Sequence, residues 1–300
     1  MDDTLNRRPN SHNKLVQAYC FVRAVLFSIF IFLPLLVINV MQAAVWLVTP
    51  LFPAFGDRAS YFFADSYWSF VVWVMERVQK IELDIRYEPG PFPPGEKVLM
   101  SANHQSHVDS ILLLAFAKRQ KALGALKFFV KDELKYVPGP GWGMYFLGCV
   151  FLKRNWQDDA AGLRETFARY KRSAYPVWIH IFTEGTRRTP AKQALATKYA
   201  LEKRQKPLTR VLWPRTKGFV ATLQGMGQDI DAVYDLTIIY PTAAIPTLWD
   251  VFMGELKEVK IIARRTPARE LPEDPGALSE WLVDSYYQKE ETMQEALGPA

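Results

Sequence analysis

A histidine and an aspartate suited to proton transfer lie five residues apart within the segment Ser101–Asp109. His104 offers a neutral imidazole at working pH, so its ring can act as a general base. Apolar residues before it predict a strand, and those after it predict a helix that Ser106 would cap and whose first turn would hold Asp109. A carboxylate placed there can accept the Nδ1 proton of the imidazole and stabilise the imidazolium. The spacing therefore predicts a His–Asp dyad.

The same residues also fit two other arrangements. A histidine at a helix start, followed by an aspartate in the first turn, is a common structural pattern without chemistry. His104 and His107 could also be part of a metal site together with Asp109. His12 and His180 stand alone in the sequence and complete no ligand cluster, so no metal is expected. The pair alone does not decide between catalysis and a structural role.

Three basic segments follow predicted strands or begin a predicted helix, where they are placed to bind an anion. Their cations are Lys153 and Arg154, Arg187 and Arg188, and Arg215 and Lys217. The carboxyl ends of parallel strands border the ligand crevice of an α/β sheet, and the planar fork of arginine chelates phosphate well. Any one such segment is typical of solvated surface, but three of them together favour an anionic ligand.

The bulk composition agrees with an anionic partner near a membrane. The net charge is +6, and aromatic residues make up 14% of the 300 residues. Trp and Tyr favour membrane interfaces. No basic run or nucleic-acid-binding module accompanies the charge, so nucleic acid is not an expected partner. Cys20 and Cys149 lack metal or redox spacing, which indicates a reducing compartment.

The N-terminal part of the chain predicts membrane attachment. Residues 24–48 carry no charge and would span about 37 Å as a helix, more than the ~30 Å hydrocarbon core. A second aromatic-rich stretch, residues 61–78, contains Asp65, which makes a full crossing costly. We therefore predict a two-helix membrane anchor within residues 1–80, with the basic N-terminus in the cytoplasm and without a full crossing. Two buried core helices are the alternative.

Residues 81–300 predict an α/β domain, separated from the anchor by the breaker cluster at 90–95. Short apolar runs alternate with helical patterns, which is typical of a central mixed, mostly parallel sheet flanked by helices. The predicted strands are 97–102, 127–130, 149–152, 177–182, 233–239 and 259–263. The predicted helices are 108–118, 156–171, 217–225 and 278–297.

Taken together, the motifs resemble those of the glycerolipid acyltransferases, the lysophosphatidic acid acyltransferase family. Asn103-His104-x4-Asp109 matches its first block, Gly148-x-x-Phe151-x-x-Arg154 its second, and Glu184-Gly185-Thr186-Arg187 its third. The segment 212–219 with 232–235 resembles the membrane-bound branch that includes lysocardiolipin-type enzymes. The blocks span roughly residues 60 to 260 in the family's order. Thr183 departs from the pattern, since many members have proline there.

The resemblance implies an enzyme that moves a fatty acyl group to the sn-2 hydroxyl of 1-acylglycerol 3-phosphate or a related lysophospholipid. Acyl-CoA or acyl carrier protein would be the donor substrate, and no cofactor is expected. His104 would be the general base and Asp109 would orient it. The substrate-binding residues implied are Asn103, Arg154, Glu184, Gly185, Thr186, Arg187, Arg215 and Lys217.

The expected partners and location follow from this reading. The enzyme would contact membrane lipids, with its catalytic domain facing the cytoplasm, most simply at a bacterial inner membrane. A non-catalytic lipid-binding or membrane-remodelling protein on the same fold is the alternative. Loss of the dyad would mark that alternative, and both His104 and Asp109 are present.

Overall fold

The computed structural model describes residues 14–153, 155–173, 175–242 and 244–298. Within these ranges the chain forms nine α-helices and seven strands. The helices are α1 (Lys14–Val48), α2 (Pro53–Trp73), α3 (Val108–Arg119), α4 (Pro140–Phe146), α5 (Trp156–Arg172), α6 (Pro190–Glu202), α7 (Thr216–Met226), α8 (Leu248–Met253) and α9 (Pro275–Leu297). The strands are β1 (Glu82–Glu88), β2 (Val98–Ala102), β3 (Leu126–Lys131), β4 (Val150–Leu152), β5 (Trp178–Ile181), β6 (Ala232–Ile239) and β7 (Glu258–Pro267).

The strands form one sheet in the order β1-β7-β6-β2-β5-β3-β4. Neighbouring strands run parallel except β6 and β7, which are antiparallel. This confirms the predicted mixed, mostly parallel sheet flanked by helices. Because β6, β2 and β5 are adjacent and parallel, their carboxyl ends meet at one edge of the sheet, where α/β folds bind ligands.

Two apolar clusters cover the two faces of the sheet. The first joins the sheet to α2 and α3, and it includes Trp68, Val72 and Phe116. The second joins the opposite face to α5, α7 and α9, and it includes Phe167, Phe219 and Tyr286. In β5 the alternation is clear, since Trp178 packs in the first cluster and Ile179 in the second. The sheet is therefore buried on both sides, as its apolar strand sequences require.

The predicted elements are found near their expected positions, whereas β1, α4, α6 and α8 were not among them and β7 is longer than predicted. β1 was not predicted, because its Glu, Asp and Arg residues hide an alternation of exposed and half-buried positions. That alternation is typical of an edge strand, and β1 pairs with β7 alone among the described strands. β7 extends four residues beyond the predicted end at Ala263, because it pairs with β1 on one side and β6 on the other.

Among the described residues, the N-terminal region contains one segment whose length and apolar composition match those of a membrane-spanning helix. This segment, Ala18–Val48, lies in α1, has a mean hydropathy of 2.6 and is mostly exposed. α2 contributes Ala64, Tyr67 and Trp68 to the core of the sheet face. One apolar N-terminal helix is thus established, whereas a two-helix anchor stays a prediction.

Candidate active site

The imidazole of His104 and the carboxylate of Asp109 are hydrogen bonded, with 2.9 Å between Nδ1 and Oδ2. His104 lies in the loop after β2, and Asp109 is in the first turn of α3 with no exposed surface. Oδ2 also accepts the backbone N–H groups of Gln105 and Ser106, at 2.6 and 2.8 Å. Oδ1 accepts the hydroxyl of Tyr240, at the end of β6, at 2.5 Å. The predicted contact is present, and the carboxylate has four hydrogen-bond donors.

The loop that carries His104 is attached to β6 by side chains. Both amide atoms of Asn103 are bonded to the backbone of Ile238: Nδ2 donates at 2.9 Å and Oδ1 accepts at 2.7 Å. Asn103 is fully buried. This placement favours a structural role for Asn103 over the predicted contact with substrate, because its polar atoms are already engaged.

The turn into α3 differs from the predicted cap. His107, rather than Ser106, occupies the N-cap position, and its side chain makes no capping hydrogen bond. The Ser106 hydroxyl still accepts the N–H of Val108 at 3.1 Å and donates to the carbonyl of Pro246 at 2.5 Å. Ser106 therefore links the start of α3 to the segment that follows β6.

The loop after β5 holds the backbone of His104 from both sides. The His104 N–H donates to Glu184 Oε1 at 3.0 Å, and the Arg188 N–H donates to the His104 carbonyl at 2.8 Å. Glu184 is 2% exposed, and burial raises the pKa of its carboxyl well above the ordinary value. The predicted substrate-binding residue Glu184 is thus placed to position His104.

The face of the His104 ring is covered by Phe182. The two ring centroids are 3.8 Å apart and the planes meet at 11°. Behind Phe182, the ring of His180 packs edge-on at 4.4 Å and 87°. Burial lowers the pKa of His180 to about 3, so this imidazole is neutral near pH 7.

Arg215, a predicted cation of the fourth block, lies against the loop that carries the third block. The side chain of Arg215 lies over Gly185, whose φ is +69° and where a Cβ would stand 2.9 Å from Arg215 Cδ. The Arg215 N–H donates to the carbonyl of Thr183 at 2.6 Å, and its side chain is exposed. Glycine at 185 thus provides both the left-handed turn and the space for a cation.

The structure also places the remaining predicted substrate-binding residues of these blocks, which are Thr186, Arg187 and Lys217. The Thr186 hydroxyl accepts Lys192 Nζ at 2.5 Å, and the same ammonium donates to the Arg187 carbonyl at 3.4 Å. Arg187 is half-buried in this loop, and Lys217 is exposed in the first turn of α7. Arg154, the remaining predicted cation, lies outside the described residues.

The loop after β5 is also tied to α9. The hydroxyl of Thr183 is hydrogen bonded to that of Tyr286 at 2.7 Å and to that of Ser101 at 3.2 Å. One turn further along α9, Lys289 pairs with Asp235 of β6 at 2.6 Å, and both side chains are buried. The final helix therefore supports the strands whose ends form the site.

Comparison with known proteins places this arrangement in a family. The Acyltransferase family matches residues 84–243, and the family described as Acyltransferase C-terminus matches residues 250–295. The 1-acyl-sn-glycerol-3-phosphate acyltransferase 2 of Brassica oleracea is 31% identical over 268 residues, covering 88% of this chain and 68% of that protein. The delta enzyme of the same name from Bos taurus is 30% identical, covering 87% and 69%.

The chain belongs to the acyltransferase family. It is an acyltransferase enzyme. Among solved structures, the 1-acyl-sn-glycerophosphate (LPA) acyltransferase PlsC of Thermotoga maritima aligns with a TM-score of 0.48 and 18% identity, over 88% of this chain and 96% of that one.

Three residues of this acyltransferase site were not found from the sequence as functional candidates: Tyr240 and Phe182, which touch the dyad, and Lys192, which holds the Thr186–Arg187 loop. Arg188 was expected to bind an anion, and its backbone N–H instead holds the His104 carbonyl. The position of Phe182, two residues after His180 in a predicted strand, does place both rings on one face of the sheet. No group of three or more metal-ligating side chains gathers among the described residues, and metal-free catalysis stays a prediction.

The buried, neutral His180 of this acyltransferase should make the fold sensitive to acid. Its pKa is about 3 when folded and 6.5 when unfolded, so between these values the unfolded chain binds the extra proton and stability falls as pH falls. His180→Asn keeps a donor for the Met100 carbonyl, which His180 Nδ1 contacts at 3.1 Å. We expect the free energy of unfolding, measured with urea in detergent micelles, to depend less on pH in this variant. Its slope against pH should be smaller than that of the wild type by up to ~1.4 kcal/mol per pH unit. An unchanged slope between pH 6.5 and 5 would contradict the assignment.

Proposed function

We propose that this acyltransferase transfers a fatty acyl group from acyl-CoA or acyl carrier protein to the sn-2 hydroxyl of 1-acylglycerol 3-phosphate or a related lysophospholipid. The observation that carries the proposal is the bonded dyad, His104 Nδ1 to Asp109 Oδ2 at 2.9 Å, at the carboxyl edge of the sheet. The names of the similar plant and animal enzymes support the acceptor, and phospholipid biosynthesis is the process that such a product serves.

The chemistry needs one base and no covalent enzyme intermediate. Asp109 engages Nδ1 of His104, which leaves Nε2 to take the proton of the acceptor hydroxyl. The hydroxyl oxygen attacks the thioester carbonyl and forms the new ester bond as the carbon–sulfur bond breaks. His104 then returns the proton to the departing thiolate. A base of this kind contributes about 10²–10⁴-fold, so the cationic loop must supply binding and alignment.

The acceptor phosphate would bind to the loop after β5 and the start of α7. Arg187 lies three residues beyond Glu184, which bonds to the His104 backbone, so the phosphate site adjoins the base. Arg215 covers Gly185 of the same loop, and Lys217 begins α7 two residues later. We include Arg154 in this site from the motif alone. Arginine suits the task, because its planar fork can donate two bonds to one phosphate.

The N-terminal region would attach the enzyme to the membrane that holds its acceptor and product. α1 packs on α2, α4 and α8 along its length: the Phe27 ring lies 5.1 Å from that of Phe252 of α8 at a tilt of 47°, the Ile31 carbonyl accepts the Tyr67 hydroxyl of α2 at 3.2 Å, and Trp46 packs on Tyr145 of α4. These contacts extend over about 28 Å of helix. The opposite side exposes large apolar residues, among them Leu33, Val37 and Val40.

Such a helix cannot cross a bilayer alone without drawing α2, α4 and α8 in with it. We therefore propose that α1 lies along one leaflet, with the exposed Leu51, Phe52 and Phe55 of the turn and of α2 completing the two-helix anchor of residues 1–80. The α/β domain of residues 81–300 would then face the cytoplasm, most simply at a bacterial inner membrane.

The His104→Ala variant tests the reaction. Purified protein in detergent micelles would be offered labelled acyl-CoA, or acyl carrier protein, with a panel of lysophospholipids. We expect loss of transfer by about 10²–10⁴-fold, because the alcohol loses its base. His107→Ala is the matched control and should stay within about threefold of the wild type. Normal transfer by a folded His104→Ala protein would refute the base assignment.

The Arg187→Ala variant tests the phosphate site. We expect the KM for a phosphorylated acceptor to rise about tenfold or more with a smaller change in kcat, because a charged hydrogen bond contributes ~1.5–3 kcal/mol. Arg269→Ala, which removes an arginine that is 86% exposed at its side chain, is the control. A KM equal to that of the wild type would remove Arg187 from the phosphate site.

The orientation of α1 is tested by labelling from one side of sealed vesicles. Ser11→Cys and Arg269→Cys, each in a Cys20→Ala/Cys149→Ala background, flank α1 and report on the N-terminus and the domain. If α1 lies in one leaflet, a membrane-impermeant maleimide should label both from the same side. Labelling from opposite sides would show instead that α1 crosses the bilayer.

A further inference from the structure

Phe182 presents the face of its ring to the imidazole of His104. The centroids are 3.8 Å apart and the planes are nearly parallel at 11°, the closest ring pair described in the chain. Phe182 follows β5 directly, and Glu184, two residues later, accepts the His104 N–H. The same short segment therefore holds both the backbone and the ring of the base.

A buried pair of aromatic rings holds Phe182 in turn. His180 meets it edge-on at 4.4 Å, and Phe128 of β3 meets His180 at 5.5 Å and 76°. His180 is 1% exposed and donates no charge to the stack, because it is neutral. Edge-to-face packing of this kind is a favourable aromatic geometry and restricts the tilt of the Phe182 ring.

We propose that Phe182 is a positioning residue that keeps the His104 ring oriented toward Asp109 and stabilises the imidazolium formed during acyl transfer. The inference rests on the proposed role of His104 as the general base. Asp109 contacts the ring only at its Nδ1 edge, so it cannot by itself prevent rotation about that hydrogen bond. A ring stacked on the face removes this freedom.

The same stack acts on charge as well as on geometry. The face of a phenyl ring carries the negative part of its quadrupole and attracts a cation, and the attraction grows when water is excluded. His104 is neutral before the reaction and positive once it has taken the hydroxyl proton. The attraction therefore strengthens as the transition state is approached, which is the condition for raising kcat rather than only tightening binding.

Other charged and titratable groups also surround His104 and stay in place when Phe182 is changed. They are Asp109 of α3, Glu184 and Arg188 of the loop after β5, His180 of β5 and Tyr240 at the end of β6. Substitution at 182 adds no charge and removes no hydrogen bond of the dyad. A change in the pH dependence of kcat/KM would therefore be caused by the loss of the Phe182 ring face.

Phe182→Leu is the first test, because leucine keeps an apolar side chain and removes the ring. In micelles with acyl-CoA and the acceptor selected above, we expect kcat to fall about tenfold, which corresponds to ~1.4 kcal/mol. The KM for the acceptor should stay within about twofold. Because the imidazolium is less stabilised, the acidic limb of the kcat/KM profile should move to lower pH. Phe182→Tyr, which keeps the ring, should have the wild-type kcat and the wild-type acidic limb.

Phe167→Leu is the matched control, since it makes the same change in a buried ring of α5, in the cluster on the opposite face of the sheet from the Phe128–His180 pair. It should lower thermal stability but leave kcat and the pH profile unmoved. If Phe182→Leu does not fold, pentafluorophenylalanine at position 182 keeps the shape and reverses the charge of the ring face. It should then produce the same loss of kcat and the same shift.

The outcomes separate this inference from the proposed function. Normal kcat and an unmoved profile in a folded Phe182→Leu protein, or equal losses in Phe182→Leu and Phe182→Tyr, would overturn the role of the ring face. So would a shift of the same size in Phe167→Leu. An active His104→Ala protein would instead refute the base itself, whatever Phe182 variants do.

Discussion

The buried carboxylate of Asp109 receives one hydrogen bond from the imidazole of His104, two from backbone N–H groups of its own loop and one from Tyr240 of the neighbouring strand. A carboxylate with no exposed surface is costly unless its oxygens are bonded in this way. The loop after β2, the start of α3 and the end of β6 must therefore keep one relative arrangement. The remaining features of the site are attached to that arrangement.

Three parallel strands supply the frame. Asn103 joins the loop after β2 to β6, and Glu184 and Arg188 join it to the loop after β5. The site thus lies across β6, β2 and β5 at their common edge, and Arg215 lies over Gly185 of the loop that holds the His104 backbone. The proposed mechanism, which has no covalent enzyme intermediate, depends on such alignment, because the two substrates must meet in one geometry.

Much of this could be predicted from the sequence, and the failures have physical causes. Buried parallel strands are continuous apolar runs, so β2, β5 and β6 were predicted, whereas the charged edge strand β1 was not. The dyad was predicted because its members are close in the chain. Tyr240 touches Asp109 from 131 residues away, and no local pattern can indicate such a contact. The motifs correctly predicted that Asn103 and Glu184 belong to the site. The sequence did not show that both are buried, and burial is what distinguishes a residue that positions His104 from one that a substrate can reach.

The contacts between α9 and the strand ends have a consequence for the order in which the chain folds during synthesis. Tyr286 bonds to the loop after β5 through Thr183, and Lys289 neutralises Asp235 inside β6. On a ribosome, α1 emerges long before these residues, so the apolar helix can reach a membrane while the catalytic loops still lack their support. Asp235 stays without its buried countercharge until α9 has emerged. If α1 attaches to lipid as proposed, attachment can precede completion of the site, because the contacts from α9 form last.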